Sequence, residues 1–92
     1  MSLEQEAERG RWADEVLKNP VYAEAHDLIA QGITEQWRKS RDAAEREQLH
    51  QMLRMLDKVQ TLIESTMRTG KVAQAELKRK ASLAERIGLR RS

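Results

Sequence analysis

The side chains that could do chemistry in this chain are two histidines, a few serines, many carboxylates and a basic C-terminal segment. His26 and His50 are the only histidines, and the only possible metal ligand three or four residues from either of them is Glu47. One carboxylate beside one imidazole falls short of the ligand set that a zinc site needs. The absence of cysteine excludes thiolate chemistry and disulfides. The sequence therefore predicts no metal site and implies no cofactor.

The sequence around the serines does not indicate a catalytic nucleophile either. Ser40, Ser65 and Ser82 have no sequence context that supplies a base and an orienting group. The segment Thr69-Gly70-Lys71-Val72 lacks the earlier glycine and the following hydroxyl of a phosphate-binding loop. We therefore expect a protein that is not an enzyme and has no catalytic residues; an enzyme assembled across subunits stays a third possibility without a positive feature.

The basic segment is the one feature that could bind a ligand by charge alone. Residues 68–92 hold 8 basic and 2 acidic side chains, a net of +6, whereas residues 1–67 hold 9 and 13, a net of −4. Clustered lysines and arginines attract phosphate backbones, although no aromatic residue is interleaved here for base stacking. A docking strip for an acidic neighbour fits the same charges. The candidate contacts to an anion or nucleic acid are Lys71, Lys78, Arg79, Lys80, Arg90 and Arg91.

The elements that position these residues are all predicted to be helices within one domain. Ser2 and Gln5 match a capping box and predict a helix through Lys18. Asn19-Pro20 ends that helix and caps the next one, because proline suits the first position of a helix but not its interior. The domain thus divides into an N-terminal helix over 1–18, a helical hairpin over 20–70 and a basic helix with a tail over 71–92.

The hairpin consists of two amphipathic helices joined by the polar turn Lys39-Ser40-Arg41-Asp42. Asp42 and Glu45 form a capping pair for the third helix, predicted over Ala43 to Thr69, and Gly70 is a typical helix stop. A weaker fourth helix follows from about Val72 to Arg86, with a loose tail over 88–92. Gly32, inside helix two, is interpreted as a close helix approach, and Trp12 and Trp37 as core residues.

The apolar stripe of helix three is wider than one neighbouring helix can cover, which predicts self-association. A chain of 92 residues without phenylalanine also builds a small core, and oligomerisation is the usual remedy. We therefore predict an all-α fold, an antiparallel helical hairpin with short flanking helices, assembled as an oligomeric helical bundle. The predicted oligomer interface is Leu49, Met52, Leu53, Leu56, Val59, Ile63 and Met67.

The order of local motifs resembles a known group of proteins between Leu17 and Ala75. The motifs are Asn19-Pro20-Val21, Glu35-Gln36-Trp37-Arg38, Ala44-Glu45-Arg46-Glu47, Leu56-Asp57-Lys58-Val59 and Thr69-Gly70-Lys71. They resemble short helical-hairpin proteins of tailed bacteriophages and prophages, mostly without an assigned function. The resemblance implies a phage origin and a role in virion assembly, DNA packaging or interference with host defence.

Two functions follow as expectations. The first is a non-enzymatic phage accessory or structural protein that acts through helix-mediated self-association in virion assembly or DNA packaging, with other phage proteins as further partners. The second is a binder of nucleic acid or small anionic nucleotides, for example a host-defence antagonist, that uses the basic segment. No apolar run reaches the roughly 18 residues of a membrane span, so we expect a protein of the host cytoplasm or the virion and no membrane partner.

Overall fold

The computed structural model describes the backbone of residues 1–91 and the side chains of residues 1–88. Within these residues the chain forms three α-helices and no strand: α1 Leu3–Lys18, α2 Pro20–Lys39 and α3 Ala43–Arg91. The prediction of an all-α fold is confirmed. The long dimension of the molecule is set by α3, and the described chain measures 76 × 24 × 14 Å.

The helix starts follow the local capping signals. Ser2 and Gln5 form the predicted capping box, in which each side chain accepts a hydrogen bond from the other's backbone N–H. The Asn19 side chain accepts hydrogen bonds from the backbone N–H groups of Val21 and Tyr22, with Pro20 as the first residue of α2. These caps satisfy backbone donors that a helix start leaves without partners, so both boundaries are determined locally.

The turn between α2 and α3 is held from both sides. Asp42 caps α3 by accepting a hydrogen bond from the Ala44 N–H at 3.2 Å. The Arg46 guanidinium donates to the backbone carbonyls of Trp37, at 2.8 Å, and Ser40, at 3.0 Å. The same guanidinium lies 3.9 Å from the centroid of the Trp37 ring, so it satisfies the end of α2 and stacks on its last aromatic residue.

The third helix does not stop at Gly70, and this part of the sequence prediction is wrong. α3 runs without a break through the predicted stop, through the predicted fourth helix and through residues 88–91, which were predicted to be a loose tail. Ser92 lies outside the described residues. No glycine among the described residues has positive φ, so Gly70 keeps a helical backbone. Glycine permits a helix end but does not force one, because its cost inside a helix is only about 1 kcal/mol.

Gly70 is needed for a different reason, which is the close approach of α1. A Cβ atom built on Gly70 would lie 2.4 Å from the Gly10 Cα, and one built on Gly10 would lie 2.5 Å from the Gly70 Cα. Both distances are shorter than two carbon atoms tolerate. Small neighbours extend the contact, since Ala7, Ala13 and Ala73 are among the most buried residues of the chain. The two backbones therefore pack directly on each other.

Both shorter helices run opposite to α3. The Tyr22 hydroxyl, near the start of α2, donates to Gln60 Oε1 at 2.7 Å, whereas the end of α2 meets Arg46 near the start of α3. Ile33 and Leu49 are the buried large side chains of this pair. On α1, Ala7 lines a cleft with Leu77 and Lys78, whereas Asp14 lines one with Met67, so the N-terminal end of α1 lies toward the C-terminal part of α3. One long helix thus carries the two shorter ones.

Candidate interaction surface

One row of α3 residues is covered within the chain. Its members are spaced alternately by three and four residues, and each is buried or half-buried. α1 and α2 supply the cover, because this spacing keeps the row on one side of a helix. We call this row the inner seam: Leu49, Leu53, Leu56, Gln60, Ile63, Met67 and Gly70.

The inner seam divides the predicted oligomer interface. Leu49 is 5% exposed and therefore occupied inside the chain, and Leu53, Leu56, Ile63 and Met67 are half-buried in the same row. Only two members of the predicted set, Met52 and Val59, are left with much apolar surface in water, at 52% and 45% exposed.

A second row of apolar side chains on α3 remains exposed. Each member stands one residue before a member of the inner seam, which turns it about 100° away from α2. Met55 is 62% exposed and Leu62 is 59% exposed. The whole row consists of Met52, Met55, Val59 and Leu62.

α2 carries a matching exposed row. Val21, Ala25 and Ile29 each stand one residue before a side chain that packs toward α3, namely Tyr22, His26 and Ala30 in turn. Leu28 widens this row, and Val21 and Leu28 are 72% and 59% exposed.

The two exposed rows share one side of the helix pair. Both are displaced from the contact between α2 and α3 by the same rotation, one residue toward the N-terminus. Equal rotations in helices that run in opposite directions lead to the same side of the plane through both axes. We call this surface the apolar side: Val21, Ala25, Leu28, Ile29, Met52, Met55, Val59 and Leu62.

The opposite side of the pair is polar. The residues that stand one position after the inner seam are His50, Arg54, Asp57, Thr61, Glu64, Arg68 and Lys71. All except the half-buried Glu64 are exposed, and none is apolar. The pair of helices is therefore a thin layer with one apolar and one polar surface. Among the described residues, no second layer covers the apolar surface.

The predictions for the tryptophans and for Gly32 are corrected by this arrangement. Trp12 is 56% exposed on α1, because the side of α1 that meets α3 carries alanine and glycine instead. Trp37 is 38% exposed and is covered on one ring face by Arg46 rather than by a core. Gly32 has no atom of the described chain within 4 Å of an added Cβ, so the close helix approach lies at Gly10 and Gly70.

The predicted anion contacts begin beside α1, where Lys71 and Lys78 line a cleft with Ala7, and continue into the part of α3 beyond α1. Every residue from Lys78 to Gly88 is exposed. Arg79 donates two hydrogen bonds to Glu76, at 2.6 and 3.1 Å, and this pairing holds the pKa of the Glu76 carboxyl below its usual value. Among the described residues, Lys71, Lys78 and Lys80 have no carboxylate oxygen within 4 Å of the ammonium group. The side chains of Arg90 and Arg91 lie outside the described residues.

No known family model, curated protein or solved structure matches this chain.

The histidines do not form a metal-ligating group within the described part of the chain. His50 is exposed, whereas the half-buried His26 has a buried Nε2 without a hydrogen-bond partner among the described atoms. No group of three potential metal-ligating side chains occurs in residues 1–88. Within the same residues, none of the helices combines the length and the hydropathy that spanning a bilayer takes.

The wide apolar stripe of α3 contains both a covered row and an exposed row, and five of the seven predicted interface residues lie in the covered row. The predicted contact between copies stays a prediction. Met55, Leu62 and the apolar residues of α2 form most of the surface that remains exposed. The signal was present in the polarity of neighbouring positions: apolar residues precede the four central members of the inner seam, Leu53 to Ile63, and polar residues follow all seven members. Its meaning depends on knowing which row contacts α2, and that contact appears only in the folded chain.

Proposed function

We propose that this protein is a non-enzymatic helical protein that works by binding copies of itself through the apolar side. The observation that carries the proposal is a continuous set of large apolar residues, from Val21 to Leu62 across two helices, that the chain exposes. Single exposed apolar residues are normal, but a contiguous patch with a polar opposite surface is typical of an interaction site. An antiparallel hairpin of α2 and α3 supplies half of a helical bundle, and a second copy supplies the other half.

In this proposal the biological role is that of a phage accessory or structural protein in virion assembly or DNA packaging. The support for this role is the resemblance of the segment from Leu17 to Ala75 to short hairpin proteins of tailed phages. A self-associating hairpin with one polar surface suits such a role, because the polar surface stays available for other phage proteins. The site of action is then the host cytoplasm or the virion.

The proposal predicts that two charges on the apolar side abolish self-association. A Met55→Glu, Leu62→Glu variant buries unpaired carboxylates, at a cost of at least ~2 kcal/mol each, so self-association weakens on the order of a thousandfold or more. We expect light scattering to give a multiple of 10.7 kDa for the original chain and about 10.7 kDa for the variant. Circular dichroism is expected to show the same helicity for both proteins.

The matched control adds the same two charges to the polar side of the helix pair instead of the apolar side. His50→Glu, Thr61→Glu places two carboxylates on the polar side of α3, and we expect it to keep the oligomeric mass. A monomeric original chain at tens of micromolar concentration contradicts the proposal. An unchanged mass of the Met55→Glu, Leu62→Glu variant contradicts the assignment to this surface.

A second candidate function is binding of a phosphate polyanion by the basic segment. It is favoured by Lys71, Lys78 and Lys80, which are exposed and have no carboxylate partner among the described residues. Nucleic acid and small anionic nucleotides present the same phosphate charge, and only a polymer gives a steep dependence on salt.

This candidate predicts binding of duplex DNA that weakens steeply between 50 and 200 mM salt. Replacing Lys78 and Lys80 with glutamine removes two cations from the contact, so the slope of log affinity against log salt is expected to fall by about 2. Lys58→Gln, Arg38→Gln removes two cations from the hairpin and is expected to leave the slope unchanged. Absence of DNA binding at 50 mM salt contradicts binding to nucleic acid, and a cyclic dinucleotide titrated under the same conditions tests the small ligand.

A further inference from the structure

The exposed rows of α2 and α3 can be aligned with each other by two contacts. Tyr22 lies level with Gln60, and the end of α2 at Trp37 lies level with Arg46. Because both helices rise by the same length per residue, each step forward in α2 corresponds to a step backward in α3. Val21 therefore lies level with Leu62, and Leu28 lies level with Met55.

Each exposed row has a spacing that is the same in both chain directions. On α3, Met52, Met55, Val59 and Leu62 are separated by three, four and three residues. The row therefore matches a reversed copy of itself, with Met52 opposite Leu62 and Met55 opposite Val59. The centre of this reversal lies at the level of Asp57.

The row of α2 has the same property. Its members Val21, Ala25 and Ile29 are separated by four and four residues, so the centre of reversal lies at Ala25. The alignment of the two helices places this level beside residues 57 and 58 of α3, within about one residue of the centre of the α3 row. A single two-fold axis perpendicular to the helices therefore places the α3 row of one copy on the α3 row of a reversed second copy. The same axis does this for the α2 row.

We propose that two copies stack apolar side on apolar side in antiparallel orientation, α3 on α3 and α2 on α2, about a two-fold axis at the level of Asp57 and Ala25. This inference rests on the proposed self-association and specifies its geometry. The interface is isologous, so Met52 of each copy meets Leu62 of the other. On α2, Val21 of each copy lies opposite Ile29 of the other, and the small Ala25 side chains of the two copies meet at the axis.

The area of this contact is that of a stable dimer. About an axis at Asp57 the two α3 helices overlap over residues 43–71, which is about 42 Å at 1.5 Å per residue, and the layer is 24 Å wide. Stacking two such surfaces removes on the order of 1,000 Å² per copy from water, which is the range of stable interfaces.

Repulsion between the basic segments favours the antiparallel arrangement over the parallel one. Residues 68–92 carry a net charge of +6 and project from one end of the hairpin, with every residue from Lys78 to Gly88 exposed. A parallel dimer places both basic segments side by side, where they repel each other. The antiparallel dimer places them at opposite ends. The parallel two-fold dimer also stacks α3 on α2 of the other copy, so that Leu62 meets Val21 instead of Met52.

Cysteine cross-linking distinguishes the two arrangements, and the absence of native cysteine makes the readout direct. Copies carrying Leu62→Cys are mixed in equal amounts with copies carrying either Met52→Cys or Val21→Cys and are oxidised slowly. A disulfide forms only when the two Cα atoms lie within about 7 Å, whereas ten residues along a helix span about 15 Å. We expect the mixed disulfide to form at least tenfold faster with Met52→Cys than with Val21→Cys.

The controls distinguish an error in the proposed geometry from an error in the proposed self-association. Thr61→Cys lies on the polar side and is expected to cross-link with neither partner. Preferential cross-linking of Leu62→Cys to Val21→Cys, in a protein that is dimeric by light scattering, overturns the antiparallel arrangement and leaves the proposed self-association intact. Equal rates for both mixtures in a dimer overturn it as well. A monomeric mass overturns both proposals.

Discussion

A Gly70→Ala substitution is expected to destabilise the protein even though alanine is the better helix former. The added methyl group would lie 2.4 Å from the Gly10 Cα, so α1 has to move away from α3. Overpacking against a backbone costs about 3 kcal/mol, and the helix propensity of alanine returns about 1 kcal/mol of it. The net loss of about 2 kcal/mol lowers Tm by roughly 10 °C for a chain of this size.

Hydrogen exchange locates this effect. We expect the amides of α1 to lose protection in the Gly70→Ala variant while those around Ile33 and Leu49 keep it. Gly88→Ala is the control, since an added Cβ there has no atom within 4 Å, and it is expected to leave Tm unchanged or slightly raised. A Gly70→Ala variant as stable as the original chain would show that α1 does not pack on α3 as described.

A Leu49→Ala substitution is expected to give the second large loss of stability. Leu49 is 5% exposed and lies level with Ile33, the buried large side chain of α2. Removing a buried leucine side chain costs about 2 to 4 kcal/mol, because the cavity closes only in part. The loss is expected in urea denaturation and to be equal at low and high protein concentration, since the lost contacts lie inside one chain.

Leu83→Ala is the matched control for this prediction. It makes the same chemical change in α3 at a side chain that is 50% exposed, and its cost is expected to stay below about 1 kcal/mol. If Leu49→Ala instead changes the oligomeric mass and leaves the denaturation of the monomer unaffected, Leu49 belongs to the interface between copies, as the sequence alone suggested.

These two substitutions probe how one long helix carries two shorter ones by different means. α1 contacts α3 through glycine and alanine, so the backbones themselves supply the packing. α2 contacts α3 through larger side chains, with Leu49 and Ile33 buried and a hydrogen bond from Tyr22 to Gln60. The first contact is sensitive to any added atom, whereas the second is sensitive to any atom removed.

The helix starts and the turn could be predicted from the sequence because their causes are local. Ser2 with Gln5 and Asn19 with Pro20 satisfy backbone groups within three residues of themselves. Asp42 does the same for α3. No distant part of the chain competes for these groups, so the local pattern and the folded structure agree.

The end of α3 could not be predicted in this way. Glycine is found both at helix ends and at close contacts between helices, and the same residue type serves both purposes. Only the presence of Gly10 on α1, sixty residues earlier in the chain, decides that Gly70 stays helical. The exposure of Trp12 has the same origin, since the side of α1 that meets α3 had to be the one with small residues.

The sequence by itself determined that this chain is all-helical, where its helices begin, and that it carries more apolar surface than one hairpin covers. These properties depend on capping groups and on helical periodicity, both of which act over a few residues. The tertiary structure alone decided which half of that surface is covered by α1 and α2 and which half stays exposed from Val21 to Leu62. The physical reason is that adjacent rows on a helix differ by only one residue of rotation, and only the position of a neighbouring helix selects between them.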